Sequence, residues 1–167
     1  MSAAPARYAP PAFVARLCQP QDLPARLGDL PRPLVFTNGC FDILHGGHVN
    51  YLAQARALGA SLLVAVNSDD SVRRLGKGPG RPVNPLAERM CVLAALESVS
   101  LVTWFDEETP LALIKACAPE VLVKGGDWAP QHIVGADTVL QRGGAVHSIP
   151  FLQQTSTSAL LAKIRAL

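Results

Sequence analysis

The chain has few aromatic residues and no concentration of positive charge. Aromatic residues make up 5% of its 167 positions, and 15 Lys and Arg against 13 Asp and Glu leave a formal net charge of +2. Neither a run of Lys and Arg nor a stripe of aromatic and basic residues occurs. Proteins that bind nucleic acids usually carry such a basic patch. The composition therefore does not predict nucleic-acid binding.

Closely spaced cysteines are also absent. Cys18, Cys40, Cys91 and Cys117 lie far apart, and no CxxC pair occurs. Cysteine zinc sites and small disulfide scaffolds need closer spacing than this. We therefore expect reduced thiols in a cytoplasmic protein.

Long apolar runs are missing as well. The N-terminal sequence MSAAPARYAPPAF lacks the apolar core of a signal peptide, and no stretch approaches the length of a membrane span. We expect neither export nor membrane insertion. The apolar fraction is nevertheless 49% and the charged fraction 17%, which suits one globular domain with a substantial core.

From residue 34 onward, short apolar stretches alternate with helical patterns. This alternation is typical of a parallel sheet covered by helices. Strands are predicted at 34–37, 62–67, 101–105, 121–124 and 145–149, and helices at 49–58, 69–75, 85–98, 110–118, 137–142 and 158–166. We expect an α/β domain with a five-stranded sheet over residues 34–167. Residues 1–33 would form an arm and a short helix near residues 19–30.

Side chains suited to capping precede several predicted helices. Asn84 and Thr109 each stand before a proline, and proline is favoured at the first helical position. Ser68 precedes the helix predicted to start at residue 69. We expect these three side chains to accept hydrogen bonds from the first N–H groups of their helices.

Polar residues follow three of the predicted strands. They occupy residues 38–48 after the first strand, 67–70 after the second and 124–127 after the fourth. Ligands of parallel sheets bind at the carboxyl ends of the strands, near the point where the strand order reverses. We therefore expect these segments to meet at one rim.

The run LVFTNGCFDILHGGH, residues 34–48, passes from an apolar strand through a turn to two histidines. His45 and His48 are predicted at or just before a helix N-terminus, where unpaired N–H groups and the helix dipole favour phosphate. Their imidazoles add donors, and Gly46 and Gly47 let the main chain approach the anion closely. Two surface histidines in a glycine turn, or a partial zinc site, are the alternatives. A zinc site would need a third ligand, and none stands at suitable spacing.

The turn before the histidines has two interpretations. Asn-Gly is common in turns, so the turn can be simple punctuation. Beside the histidines, however, Asn38, Gly39, Cys40 and Phe41 are expected to form a backbone cradle for the nucleotide. Phe41 would pack against it, and Asp42 would offer its carboxylate to a sugar hydroxyl.

Two segments in the middle of the chain are candidates to contact a nucleotide triphosphate and a second substrate that reacts with it. Asn67 and Asp69 follow the second strand, where either capping or substrate contact explains them. The segment LGKGPGRPVN, residues 75–84, is rich in Gly and Pro and is predicted to be a loop. It would be a plain linker, or a lid that closes Lys77 and Arg81 over the triphosphate.

Two later segments also suit a nucleotide. Lys124 and Gly125 end the fourth strand, and the glycine permits close approach of the backbone; a surface lysine is the alternative. Ser156, Thr157 and Ser158 precede the last predicted helix. One of them suffices as an N-cap, but a cluster of hydroxyls at a helix start also suits a second phosphate site. We expect both segments to bind the nucleotide.

The motifs TNGCFDILHGGH, VAVNSDDSVRRLGKGPGRPVNPLAERM, LVKGGD and STS resemble those of the cytidylyltransferase-like nucleotidyltransferases. His45, Gly47 and His48 match the HxGH signature of that family. Within the family, the order of VNSD, RPVNP and VKGGD resembles the bacterial D-glycero-beta-D-manno-heptose 1-phosphate adenylyltransferases. The resemblance covers nearly all of residues 34–167 and implies a Rossmann-like, doubly wound fold.

The resemblance also implies a reaction and its site residues. ATP and heptose 1-phosphate would give pyrophosphate and ADP-heptose for the lipopolysaccharide core, with Mg²⁺ bridging the ATP phosphates and no metal held by the protein alone. His45, His48 and Lys77 would be catalytic. The nucleotide would be bound by Thr37, Asn38, Gly39, Cys40, Phe41, Gly47, Lys124, Gly125, Ser156, Thr157 and Ser158. The sugar phosphate would be bound by Asp42, Asn67, Asp69, Arg81 and Asp127.

Some positions depart from the family pattern. The terminal motif ends in Ser158, where relatives commonly have Thr, and Cys40 takes a position that is usually small and apolar. FLQQT, residues 151–155, stands where small-alcohol-phosphate cytidylyltransferases usually carry Arg-Thr-x-Gly-Ile, which argues against that branch. A cytidylyltransferase or adenylyltransferase for another phosphate monoester, and a non-catalytic nucleotide-binding module, remain the alternatives.

Partners follow from the same resemblance. Relatives often form homodimers, and in many of them this domain is fused behind a sugar kinase. The first predicted strand here starts at Leu34, so we expect a separate heptose kinase to supply the substrate.

Overall fold

The computed structural model describes residues 8–76, 78–126, 128–150 and 156–167, and its centre is a five-stranded parallel sheet. The strands are β1 (Leu34–Gly39), β2 (Ser61–Asn67), β3 (Leu101–Phe105), β4 (Val121–Gly125) and β5 (Ala145–Ile149). Their order is β3-β2-β1-β4-β5. All five predicted strands are confirmed. β1 runs two residues beyond its predicted end because Asn38 and Gly39 still pair with β2.

Seven α-helices connect and flank the strands within the described ranges. They are α1 (Leu23–Leu27), α2 (Gly46–Arg56), α3 (Asp69–Arg74), α4 (Leu86–Ala94), α5 (Leu111–Cys117), α6 (Ala136–Gln141) and α7 (Thr157–Arg165). α2 begins three residues before its predicted start, because its first turn is built from the two glycines and His48 rather than from apolar residues. Across the described ranges, no helix combines the length and apolar character needed to cross a bilayer.

Apolar side chains from alternate strand positions build one core on each face of the sheet. Val35 of β1 belongs to the cluster that includes residues of α2 and α4. Its neighbours Leu34 and Phe36 belong to the cluster that includes residues of α1, α5 and α6. Successive side chains of a strand point to opposite faces, so helices cover both faces. The doubly wound, Rossmann-like arrangement is therefore confirmed.

The segment before β1 covers the edge of the sheet at β3. Leu17 forms a parallel bridge with Val102, and the Cys18 amide donates to the Val102 carbonyl at 2.9 Å. Cys18 is buried in the core. Arg16 donates from Nη1 to three carbonyls of residues 94–99. This segment is therefore packed onto the sheet from Phe13 onward. Most of the predicted arm falls outside the described residues, and the predicted domain boundary at residue 33 stays a prediction.

Ser68 caps α3 as predicted, and Ser156 is the member of the 156–158 hydroxyl cluster that caps α7. The Ser71 amide donates to Ser68 Oγ at 2.9 Å, and the Ala159 amide donates to Ser156 Oγ at 3.1 Å. The predictions for Asn84 and Thr109 are wrong. Pro85 and Pro110 themselves occupy the N-cap positions of α4 and α5, which receive no side-chain cap bond.

The strand order reverses at β1, which lies between β2 and β4. Pairing of β1 with β4 stops at Thr37 and Val123, whereas pairing with β2 continues to Gly39. The ends of β1 and β4 therefore separate and open a crevice at the carboxyl edge of the sheet, where this fold class binds ligands.

Candidate active site

A cavity of about 620 Å³ opens at this carboxyl edge. Most of the residues predicted for the site line it, as we expected from the strand ends. These are Asn38, Gly39, Cys40, Phe41, Asp42, His45, His48, Asn67, Arg81, Lys124, Gly125, Ser156, Thr157 and Ser158. Thr37, Gly47 and Asp69 do not line it. Lys77 and Asp127 lie outside the described residues.

His45 and His48 stack at the start of α2. His45 is the N-cap residue and His48 the third residue of the helix, with ring centroids 3.9 Å apart and an angle of 29° between the ring planes. Burial lowers the pKa of His45, which keeps its imidazole neutral at pH 7. Its Nδ1 is buried and has no hydrogen-bond partner among the described residues. A stacked pair of imidazoles at a helix N-terminus is suited to donate hydrogen bonds to an anion.

Phe41 fixes the turn that leads to the histidines. Its backbone has a φ of 46°, a left-handed conformation that is uncommon for a bulky residue. The ring folds back over Gly39, where a Cβ would lie 3.0 Å from Phe41 Cε2, and its centroid is 5.3 Å from that of His48. Gly39 is therefore needed for close packing, and Phe41 supports the position of His48.

The start of α7 supplies hydroxyls to the same cavity. Ser156 is its N-cap residue, and Thr157 Oγ1 donates to the Ile43 carbonyl at 3.4 Å. This bond links the start of α7 to the segment just before His45. We call His45, His48, Ser156, Thr157 and Ser158 the histidine wall. It joins two helix N-termini, each with N–H groups that have no partner within the helix.

Lys124 and Tyr51 make contacts between β1 and β4 at the crevice where these two strands separate. Lys124 Nζ lies 3.3 Å from Asn38 Oδ1 and 3.4 Å from the Asn38 carbonyl. The Tyr51 hydroxyl shares a short hydrogen bond with Thr37 Oγ1 and donates to the Val123 carbonyl at 3.3 Å. Burial raises the pKa of Tyr51, so its hydroxyl stays protonated.

Tyr51 was not predicted as a site residue, although it stands one helical turn after His48 and lines the cavity. Thr37, predicted to bind the nucleotide, is fully buried and contacts Tyr51 instead. The geometry therefore places Thr37 behind the cavity surface, where it supports Tyr51.

Asp42 does not present a free carboxylate to the cavity. Its side chain has no exposed surface and forms an ion pair with Arg81, whose Nε donates to Oδ2. The amides of Val83 and Asn84 donate to Oδ1 at 2.8 and 2.9 Å, and Asn84 Nδ2 donates to the Asp42 carbonyl. Burial alone would raise the pKa of Asp42, but these hydrogen bonds outweigh it and lower the pKa.

These contacts show what Asp42 and Arg81 do within the protein, and their predicted contacts with substrate stay predictions. A carboxylate whose oxygens already accept three hydrogen bonds has little capacity left for a sugar hydroxyl, so the structure assigns Asp42 to fastening the segment around residues 81–84. Arg81 lines the cavity, but its Nε is engaged by Asp42 rather than available to a triphosphate. Asn84 contacts Asp42 and therefore does not cap α4.

Arg89 of α4 is the main residue that sequence reasoning missed. Its side chain is completely buried and donates to the carbonyls of Cys40, Asn67 and Asn84 at 2.6, 2.8 and 3.0 Å. It also forms a 2.8 Å ion pair with Asp69. One guanidinium thus connects the ends of β1 and β2 to α3 and to the segment before α4.

The sequence did contain a signal that Arg89 is buried, namely its position in α4. Leu86, Met90 and Leu93 form the apolar stripe of α4, and Arg89 lies on the same side of the helix. A charged residue in such a stripe is buried with partners more often than it is solvated. Asp69 is that partner and does not line the cavity, and its predicted contact with substrate stays a prediction.

Several cavity residues outside the predicted set come from later parts of the chain, among them Glu108 and Trp128. Trp128 is 53% exposed, and its amide donates to Ser148 Oγ of β5 at 3.0 Å. Glu108 lies in the loop between β3 and α5. Neither belongs to a recognisable motif.

The donors of the cavity suit phosphate rather than a metal held by the protein. Imidazoles, hydroxyls, an ammonium group and backbone N–H groups face it, while the Asp42 carboxylate is engaged elsewhere. In the part of the chain that the structure describes, no three His, Cys, Asp or Glu residues are grouped to hold a metal ion. Mg²⁺ fits here as an ion carried by nucleotide phosphates, with few protein ligands.

Comparisons with known proteins agree with this geometry. The sequence model of the cytidylyltransferase-like family matches residues 36–158. The D-beta-D-heptose 1-phosphate adenylyltransferase of Bordetella bronchiseptica is 56% identical over 138 residues, which cover 83% of this chain and 85% of that protein. The bifunctional protein HldE of Hahella chejuensis is 55% identical over 132 residues, 79% of this chain. The match spans only 28% of that longer protein.

Solved structures show the same fold. A lipopolysaccharide core biosynthesis protein from Thermoplasma volcanium aligns with a TM-score of 0.58 at 25% identity, covering 73% of this chain and 98% of that one. A pantoate-beta-alanine ligase from Francisella tularensis aligns with a TM-score of 0.56 at 14% identity, covering 90% of this chain and 78% of that one, a likeness of fold alone. On the strength of the family match and the Bordetella relative, the chain belongs to the cytidylyltransferase-like family of nucleotidyltransferases.

Proposed function

We propose that this protein transfers AMP from ATP to D-glycero-beta-D-manno-heptose 1-phosphate, releasing pyrophosphate and giving ADP-heptose for lipopolysaccharide core synthesis. The observation that carries this proposal is the histidine wall, in which two helix N-termini and a stacked pair of histidines line one cavity at the strand-order reversal. Its donors suit a triphosphate. The choice of ATP and of a heptose rests on the 56% identity to the Bordetella adenylyltransferase.

The acceptor phosphate needs no general base. The second pKa of a phosphate monoester lies near ~6, so at neutral pH its oxygen is already a nucleophile. It would attack the α-phosphorus of ATP in line with the departing pyrophosphate. Catalysis then depends on positioning and on stabilising the charge that develops on the phosphate oxygens.

The side chains of the cavity divide this task. His45 and His48 would donate to the α- and β-phosphate oxygens, and the start of α7 would bind the outer phosphates. Lys124 would neutralise growing charge from the side of β4, where it already lies beside Asn38. Lys77 is proposed as a further cation. Mg²⁺, when bound with the nucleotide, would supply positive charge that offsets part of the phosphate charge, with few ligands from the protein.

The test is to mix the protein with Mg²⁺, either ATP or CTP, and a panel of sugar 1-phosphates, and to determine the product by mass spectrometry. We expect ADP-heptose and pyrophosphate from ATP and heptose 1-phosphate. A CDP-sugar formed in preference would favour a cytidylyltransferase. A melting temperature raised by ATP with no pyrophosphate released from any acceptor would favour a non-catalytic binding module. The homodimer, the separate kinase and the cytoplasmic location stay predictions.

A further inference from the structure

The cavity extends well beyond the histidine wall. Glu108, Thr109 and Pro110, from the loop between β3 and α5, also line it, as do His132 and Val134 from the segment after β4. α2 packs on one face of the sheet, whereas α5 and α6 pack on the other. The two sets of lining residues therefore come from opposite faces of the sheet and meet across its carboxyl edge.

Three polar side chains on this second side of the cavity have no hydrogen-bond partner among the described residues. Glu108, Thr109 and His132 are exposed. Their side chains form no hydrogen bond with any residue that the structure describes. Their neighbour Glu107, by contrast, does not line the cavity, and its Oε2 accepts from the Asp106 amide at 3.1 Å. Convergent polar groups that have no structural partner are the usual means by which a pocket orients a ligand.

The cavity also continues past this side. A neighbouring depression of about 330 Å³ shares His132, Ile133 and Val134 with it and reaches Lys115 of α5. The space beside His132 therefore has room for a ligand larger than a simple phosphate.

The geometry of the reaction distinguishes the two sides. In an in-line transfer the attacking oxygen approaches the α-phosphorus opposite to the leaving pyrophosphate. If the histidine wall holds the leaving phosphates, the side of the cavity away from that wall is the side from which the acceptor approaches the α-phosphorus. Glu108, Thr109 and His132, which we call the acceptor wall, lie on that side.

We propose that the acceptor wall is the subsite that recognises the hydroxyl groups of the sugar 1-phosphate. The Glu108 carboxylate accepts hydrogen bonds from sugar hydroxyls, and the Thr109 hydroxyl and His132 imidazole can both donate and accept. The proposal rests on the adenylyltransferase function stated above. It assigns sugar selection to the loop after β3, and not to Asp42, whose carboxylate is engaged by Arg81.

The test compares Glu108→Gln and Thr109→Val with wild type, using pyrophosphate release as the readout. The sugar phosphate is varied at saturating ATP, and ATP is varied at saturating sugar phosphate. We expect the KM for heptose 1-phosphate to rise about 10-fold in each variant, the scale of one lost hydrogen bond to a charged or polar group. The KM for ATP should change less than about 2-fold.

Glu107→Gln is the matched control, because it makes the same change at the adjacent position outside the cavity. It should leave both KM values unchanged. An unchanged KM for the sugar phosphate in Glu108→Gln and Thr109→Val would overturn the proposal. So would an equal rise in the KM for ATP, since these residues would then contact the nucleotide.

A failure of the proposed function gives a different result. In that case wild type releases no pyrophosphate with any sugar 1-phosphate. Binding of heptose 1-phosphate is then measured by calorimetry in the presence of a non-hydrolysable ATP analogue. Binding to wild type that weakens in Glu108→Gln supports the acceptor wall. Absent binding, or equal binding to both proteins, overturns it.

Discussion

Two groups of polar residues lie at the same edge of the sheet, and they differ in where their hydrogen bonds go. The histidine wall lines an open cavity, and His45 Nδ1 has no partner among the described residues. The second group, which we call the arginine cluster, consists of Asp42, Asp69, Arg81 and Arg89. Its charges are paired within the protein, and the side chains of Asp42 and Arg89 have no exposed surface.

This difference predicts that the histidine wall binds a ligand and that the arginine cluster stabilises the fold. An unpaired buried charge is costly, so the arginine cluster can exist only because its members satisfy one another and nearby carbonyls. The histidine wall instead lines the open cavity, and the buried Nδ1 of His45 has no partner among the described residues. Removing a member of the arginine cluster should therefore reduce stability first, and removing a member of the histidine wall should reduce turnover first.

The largest effect is expected from Arg89→Ala. The change removes the donor to three carbonyls and leaves the Asp69 carboxylate without its cation. We expect the free energy of unfolding to fall by about 3–5 kcal/mol, as measured by urea denaturation. Arg73→Ala is the control, because Arg73 forms an exposed ion pair with Asp70 and should cost less than about 1 kcal/mol. Similar losses in the two variants would contradict the supporting role of Arg89.

His48→Ala should come next, and its effect should fall on turnover. Loss of one donor to a developing phosphate charge typically lowers kcat about 100-fold to 1000-fold. The melting temperature should change little. His147→Ala is the matched control, since His147 is exposed on β5 and does not line the cavity. Near-normal kcat in His48→Ala would refute its assigned role.

The smallest effect is expected from Asp42→Asn, and it should depend on pH. Hydrogen bonds lower the pKa of Asp42 below the usual 3.8, so near that pH the folded protein binds fewer protons than the unfolded chain. The stabilisation is therefore complete at neutral pH and is lost as the pH falls through the lowered pKa. We expect Asp42→Asn to cost about 1–3 kcal/mol at pH 7 and progressively less below pH ~4.

Urea denaturation of both proteins at several pH values measures this difference. Asp70→Asn serves as the control, because Asp70 is exposed and its ion pair with Arg73 is solvated. A difference between Asp42→Asn and wild type that stays constant from pH 7 to pH 3 would show that Asp42 does not contribute through its charge.

Much of the fold could be predicted because its signals are local. The five strands follow from short apolar stretches between turns, and each was found within about two residues of its observed bounds. Helix ends were less accurate. α4 ends at Ala94, four residues before its predicted end, although the apolar pattern continues. Its start was misjudged too, because Pro85 takes the N-cap position that was assigned to Asn84.

The candidate site was predictable where residues act close to one another in the chain. His45 and His48 share one turn of α2, and 156–158 begin α7, so both helix starts were found from local motifs. Asp42 and Asp69 were predicted at the carboxyl edge of the sheet, but their ion pairs with Arg81 and Arg89 were not predicted. Their partners are 39 and 20 residues away, beyond the reach of any local pattern.

The amino-acid sequence by itself determined the succession of strands and helices along the chain and the two helix starts at His45 and Ser156, because periodicity and capping are properties of neighbouring residues. Only the tertiary structure decided which charges are paired and which face the cavity. The physical reason is burial. A carboxylate enclosed by the sheet and α4 is stable only with a hydrogen-bond donor beside it, whereas a carboxylate at the cavity surface stays available to a ligand. Arg89 shows this most clearly, because its acceptors come from three segments of the chain, at Cys40, at Asn67 and Asp69, and at Asn84.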